Sequence, residues 1–207
     1  MKFRRKAAPE DTTTEVTDDV ADPSASAESG PFDADALADS VERVDLGSLL
    51  IAPSEGRELR LQVDETTGKV AAVLLASEDG AMELQAFSAP RGGDLWSEVR
   101  PQIAADITQR GGQVAEREGR FGTELLCQLP VKRADGTSAV QPSRIVGFNG
   151  SRWMLRASFL GRPAVEPDTA GGWEDALAQV AVRRGQQAMP VGQPLPVTLP
   201  ENARKVP

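Results

Sequence analysis

Over residues 57–88, and again over 113–160, the chain repeats one pattern: a short run of alternating or β-branched residues, then a tight turn. A period of two buries one face of a strand and matches no helical stripe, so these regions must fold as a sheet. In the run 57–63, Leu59, Leu61 and Val63 share a face. After a turn at 64–68, the run 69–77 is nearly all apolar, as in a strand covered at least in part on both sides. Asp79-Gly80 signals a hairpin, and 81–88 alternates Met82, Leu84 and Ala86 against Glu83, Gln85 and Phe87. These three runs predict a meander.

A second group of four strands spans 113–118, 123–132, 139–148 and 152–160, joined at 119–122, Asp135-Gly136 and Asn149-Gly150. Thr123, Leu125, Cys127, Leu129 and Val131 fall on one face. Trp153, Leu155, Ala157 and Phe159 point inward, which leaves Arg152, Met154, Arg156 and Ser158 outward. Pro142 puts the start of its strand at an edge or a bulge.

Two segments change to the helical period. From Asp94, an N-cap residue, to about Arg110, the residues Leu95, Val99, Ile103 and Ile107 form a single stripe with Trp96 beside it. Pro101 predicts a kink near Ser97, and Gly111-Gly112 a stop. The run 173–184 predicts a closing helix through Trp173, Leu177 and Val180, with strand character at Ala181-Val182. A short helix capped by Asp33 is expected at 33–40, and 46–51 reads as a short strand or a segment laid across the core. The prolines and apolar residues of 189–200 predict an extended segment against the domain. The fold class is therefore α+β: a mostly antiparallel sheet in the order β-β-β-α-β-β-β-β-α, with two main helices on one face.

Residues 1–30 hold almost no large apolar side chains and are expected to form a disordered acidic tail, removed first by protease; 31–200 make one domain, and 201–207 fray. Residues 1–40 carry four basic and ten acidic groups, for a net −6 of the whole chain's −8. The folded part is thus near neutral and lacks the basic field that a phosphate backbone requires, which disfavours nucleic-acid binding. No apolar run approaches the ~20 residues of a membrane span, and the basic start is followed by no apolar stretch. A single cysteine, Cys127, forms no internal disulfide and suits a reducing compartment, hence a cytoplasmic location.

The chain has no histidine and no tyrosine. Histidine-based triads and histidine-bearing zinc sites are excluded, and one cysteine makes no all-thiolate site. Acid–base work would fall to Asp, Glu or Lys. No phosphate-loop or dinucleotide pattern is present, and Asp94 stands where an anion would meet the helix after Gly92-Gly93. No metal or cofactor motif emerges. Cys127, between Leu125 and Leu129, reads as a buried inert thiol. Two surfaces remain as candidates. One is an outward sheet face carrying Arg60, Gln62, Glu83, Gln85, Gln128, Arg144, Arg152 and Arg156, of which Arg60, Gln85, Arg144, Arg152 and Arg156 are the favoured partner- or ligand-binding residues. The other is a pocket beside the first helix, at Arg91 and Trp96.

The segments Gly30-Pro31-Phe32-Asp33, Val44-Asp45-Leu46-Gly47-Ser48-Leu49, Ala89-Pro90-Arg91, Leu95-Trp96-Ser97-Glu98-Val99-Arg100-Pro101-Gln102-Ile103 and Gly147-Phe148-Asn149-Gly150-Ser151-Arg152-Trp153-Met154-Leu155-Arg156 together resemble an actinobacterial family, domain of unknown function 3710. The resemblance covers about residues 30–200. It implies an actinobacterial origin and a cytoplasmic address, and no activity or catalytic residue. The residues themselves rank a non-enzymatic interaction or regulatory module with a protein partner first. A small-ligand (anion) binding domain, or an unrecognised enzyme using Arg and carboxylates, comes second. A deep pocket with Trp96, Arg91 and a carboxylate would favour the second reading, a flat sheet face without a cavity the first. Nothing in the chain specifies an oligomeric state.

Overall fold

The computed structural model describes residues 30–133, 135–166 and 170–200. The acidic tail lies outside the described residues except for Gly30, which is buried, and 201–207 lie outside them entirely.

Among the described residues, seven strands form one sheet in the order β4-β5-β6-β10-β9-β8-β7, every neighbouring pair antiparallel. They are β4 (Glu58–Val63), β5 (Val70–Ala76), β6 (Gly80–Ser88), β7 (Gln113–Gly119), β8 (Gly122–Lys132), β9 (Ser138–Asn149) and β10 (Trp153–Gly161). The expected meander and the expected four-strand group are both present, and β6·β10 pairing joins them. A smaller sheet, β1-β11-β3-β2, combines β1 (Phe32–Asp33), β2 (Val44–Asp45), β3 (Leu49–Ile51) and β11 (Ala181–Val182). The helices are α1 (Leu95–Gln109), α2 (Arg162–Val165) and α3 (Gly171–Ala178). The class agrees with the sequence expectation, as does the chain order of the seven large-sheet strands, α1 and α3; the small sheet and α2 come in addition.

The helix placement does not agree. Neighbouring residues of β10 enter different cores. Trp153, Leu155, Ala157 and Phe159 pack with Trp173 and Leu177 of α3 and with the small sheet, while Met154 packs with Leu95, Trp96 and Ile107 of α1. Adjacent strand residues point to opposite faces, so α1 and α3 cover opposite faces of the same sheet. The expectation of one inner face failed because both faces carry an apolar set.

Local chemistry explains most of the ends. Asp94 caps α1 by accepting from the Ser97 amide at 3.0 Å. The helix closes with Gly111 at φ 79°, its amide on the Thr108 carbonyl and the Gly112 amide on that of Ile107, a Schellman arrangement. The helix runs unbroken through Pro101. Asp33 does cap a turn, but only a 3-10 turn at Ala34–Ala36. The closing helix is shorter than expected: α3 stops at Ala178, and Ala181–Val182 pair in the small sheet. Pro142 lies just past the last β10 partner of β9, Ser143, where no donor is required of it.

The proline-rich segment 189–200 straps the molecule. β5 pairs β6 only up to Leu84, and beyond that point Leu195 donates to Ala86 O at 2.8 Å while Ser88 donates to Gln193 O at 2.9 Å. Further along, the Thr198 amide reaches Leu46 O, and Leu195 is buried. The strap thereby satisfies strand groups that β5 leaves open.

A cleft where two strands part

The β8·β9 ladder ends at the pair Leu125↔Ile145. Just beyond it the strands separate around one side chain. The Trp96 indole donates to the Thr123 carbonyl of β8 at 2.7 Å and lies flat on Gly147 of β9, where a Cβ would come within 2.0 Å of the ring. Only glycine fits there, which makes Gly147 the seat of the indole. The Trp96 amide donates to Asn149 Oδ1 at 3.1 Å, and Asn149 Nδ2 donates to Asp94 Oδ1 at 2.6 Å. The helix start is thus tied to the end of β9.

A cleft of about 530 Å³ opens at this separation. Its lining includes Asp94, Trp96, Arg100, Arg120, Phe121 and Asn149. Trp96 is 4% exposed and forms a wall. Phe121 and Phe148 are half-buried and meet edge to face with centroids 6.4 Å apart. Arg120 extends over Phe121, 5.5 Å from the ring centroid, and pairs with Asp175 of α3 at 2.6 Å. Arg100 pairs with Glu116 of β7 at 3.0 Å. Asp175 is largely exposed and Glu116 half exposed, so the Arg120 pair in particular is held weakly and can be exchanged. Hydrogen bonds from the Ser97 hydroxyl and amide hold the Asp94 carboxyl below its usual range, with smaller support from Asn149 and the charge of Arg100. Asp94 is therefore an ionised acceptor and a weak base.

Of the two residues expected to form this pocket, Trp96 lines it. Arg91 stands on the exposed turn before α1 and is not among the lining residues. The sequence reading missed Arg100 and Arg120. Their placement depends on the β7–β8 turn folding back toward α1 and α3, which no local pattern announces.

The expected outward face divides. Arg60, Gln62, Glu83, Gln85 and Arg156 lie on the α1 face, over strands β4, β5, β6 and β10. Arg156 donates to Gln85 Oε1 at 2.6 Å and lies over Phe87, 5.4 Å from the centroid. Burial pushes its pKa down, partly offset by Glu83. Arg60 is exposed and paired with Glu58. Arg152 belongs to the β9–β10 turn and faces solvent.

Arg144 corrects the expectation outright, because its side chain is fully buried. It pairs with Phe159 across β9·β10 and so points into the opposite core. Its Nε donates to Glu124 Oε2 at 2.9 Å, its Nη2 donates to Glu174 Oε1, and its guanidinium overlies Phe159. Glu124, also buried, accepts from Arg117 Nε at 2.5 Å. This is a structural charge network beneath α3, and β9 has no alternation from which its face could be read. Cys127 is buried, as expected, and burial pushes its thiol pKa up.

Among the described residues no group of three or more His, Cys, Asp or Glu is placed to hold a metal, and no helix is long and apolar enough to cross a membrane.

The fold defines an α+β domain built on an antiparallel sheet, with a cleft where β8 and β9 part. The chain belongs to the family of proteins of unknown function DUF3710, whose profile matches residues 30–206. No curated protein matches it. Among solved structures it is similar to a crystal structure from Bacteroides thetaiotaomicron VPI-5482, at 12% identity and a TM-score of 0.39, covering 69% of this chain and 47% of that one. It is also similar to the solution structure of cyanobacterial PsbP (CyanoP) from Synechocystis sp. PCC 6803, at 12% identity and a TM-score of 0.36, covering 75% of this chain and 99% of that one. Likenesses this distant carry no functional argument.

Proposed function

We propose that this is a non-enzymatic, cytoplasmic binding domain that holds a small anionic ligand in the cleft between α1, the β7–β8 turn and the end of β9. The observation that carries the reading is the cleft itself. Its volume of about 530 Å³ lies in the range of small-molecule sites, and it presents two arginines whose ion-pair partners are half exposed or more. Capture is favoured over catalysis because the lining carboxylate, Asp94, is held ionised by its hydrogen bonds and makes a poor proton acceptor at neutral pH. Arginine suits the task through its planar fork, which matches a carboxylate or a phosphate.

The test is a thermal-shift panel of small carboxylates and phosphates against the full chain and an Arg100→Ala/Arg120→Ala double variant. At least one compound should raise the Tm of the parent and leave the variant unmoved. A panel that shifts neither, or both equally, would remove the cleft from consideration.

A second reading keeps a protein partner. It is favoured by the part of the α1 face beyond the helix, where Arg60, Gln62, Glu83, Gln85 and Arg156 form a mixed-charge surface. A Glu83→Lys variant that retains every partner captured by the parent would count against it.

A further inference from the structure

The lining of the cleft is specific enough to describe its ligand, and this description rests on the binding reading above. We infer that the ligand combines a planar ring, an anionic group and a hydrogen-bond donor, at about the size of a mononucleotide.

The charge is arranged with polarity. Asp94 marks one end, with Arg100 close enough for its charge to favour the carboxylate. Arg100 is further compensated by Glu116. Arg120, on the β7–β8 turn, pairs with Asp175, whose side chain is 71% exposed. An anion entering the cleft therefore gains most at Arg120, where it displaces a solvated partner, and is repelled at the Asp94 end. Asp94 already accepts from the Ser97 amide, the Ser97 hydroxyl and Asn149, and two carboxylate oxygens have capacity for one more donor. A ligand hydroxyl or amino group fits that end.

The cleft is also lined by aromatic rings. The half-buried rings of Phe121 and Phe148 and the edge of Trp96 line it beside Arg120. A flat ring bearing the anion would contact the half-buried Phe121 ring beside the Arg120 guanidinium that lies over it. A bare inorganic anion would use Arg120 and leave the exposed parts of these rings uncovered. The described volume also exceeds what such an ion fills.

The experiment is isothermal titration of the full chain with four probes: AMP, naphthalene-2-carboxylate, adenosine and inorganic phosphate. Either ringed anion should bind at least about tenfold more tightly than phosphate and than adenosine, because each control lacks one half of the recognition. Tighter binding of AMP than of the naphthoate assigns a phosphate and supports the Asp94 contact; the reverse assigns a carboxylate and overturns the donor. Phe121→Leu keeps an apolar side chain and removes the ring, and should weaken binding about tenfold. Arg120→Ala should weaken the ringed anions and leave adenosine unchanged. Phosphate binding as tightly as AMP, with Phe121→Leu silent, would overturn the planar ligand and leave the anion cleft standing. Adenosine binding as tightly as AMP would overturn the anionic half. No binding by any of the four probes would overturn both this inference and the cleft reading.

Discussion

At the scale of the residue, three positions make separable claims. A Cβ at Gly147 would sit inside the Trp96 ring, so Gly147→Ala should cost about 1–3 kcal/mol in urea unfolding and shift tryptophan emission as the indole leaves its seat. Arg144→Met leaves the buried Glu124 carboxylate with one guanidinium fewer and should cost about 3–5 kcal/mol, much of it recovered when Glu124→Gln is added. Asp94 makes a pH claim. Its folded pKa is lowered, so the stability it contributes is fully present above the ordinary carboxylate value of about 3.9 and is lost as pH falls through the lower folded value. Asp94→Asn should flatten the acid limb of a stability profile in that window. The difference between Trp96 and Arg144 shows what residue-level reading can do. Trp96 sits on a helical stripe whose period fixes its direction. Arg144 sits in Arg144-Ile145-Val146-Gly147-Phe148, where apolar residues occupy both parities and a buried arginine looks like an exposed one.

At the scale of the element, boundaries followed from caps and turns wherever those carried the geometry. Asp94 and Gly111-Gly112 bracket α1 as their chemistry requires. Asn149-Gly150 marks the β9–β10 hairpin for a different reason than its dipeptide suggests. The turn closes through the Gly150 amide on Trp153 O at 2.8 Å, and Gly150 is needed because a Cβ there would lie 2.1 Å from the Trp153 ring. The strap was legible as extended chain, but its destination was not, since the vacancy it fills opens where β5 stays with β4 and parts from β6 after the Val73↔Leu84 pair. Leu195→Ala removes its anchor and should cost about 2–5 kcal/mol by the measure of buried leucines, with faster amide exchange at Ala86–Ser88. The same substitution at exposed Leu199 should be close to neutral.

For the whole molecule, coverage of both sheet faces predicts that Met154→Asp and Leu155→Asp each abolish cooperative unfolding, although the two side chains point in opposite directions. Equal tolerance at Met154 would mean that α1 does not close its face. The class and the seven strands of the large sheet, in their order along the chain, were written in the local alternation; their spatial order and the small sheet were not. Coverage was not, because the strip 153–159 has one strongly apolar parity and only Met154 betrays the other. The cleft was half legible for the same reason: it forms where β8 and β9 part around an indole supplied by α1, so three separate elements must meet before it exists.

The small sheet has a consequence for synthesis. Its first strand, at Phe32–Asp33, pairs only with Ala181–Val182, so during translation it waits for about 150 residues to be made before its partner exists. By then all seven strands of the large sheet have been translated. The small sheet therefore closes only once β11 has been made, and a chain ending before residue 181 lacks the strand that joins β1 to β3.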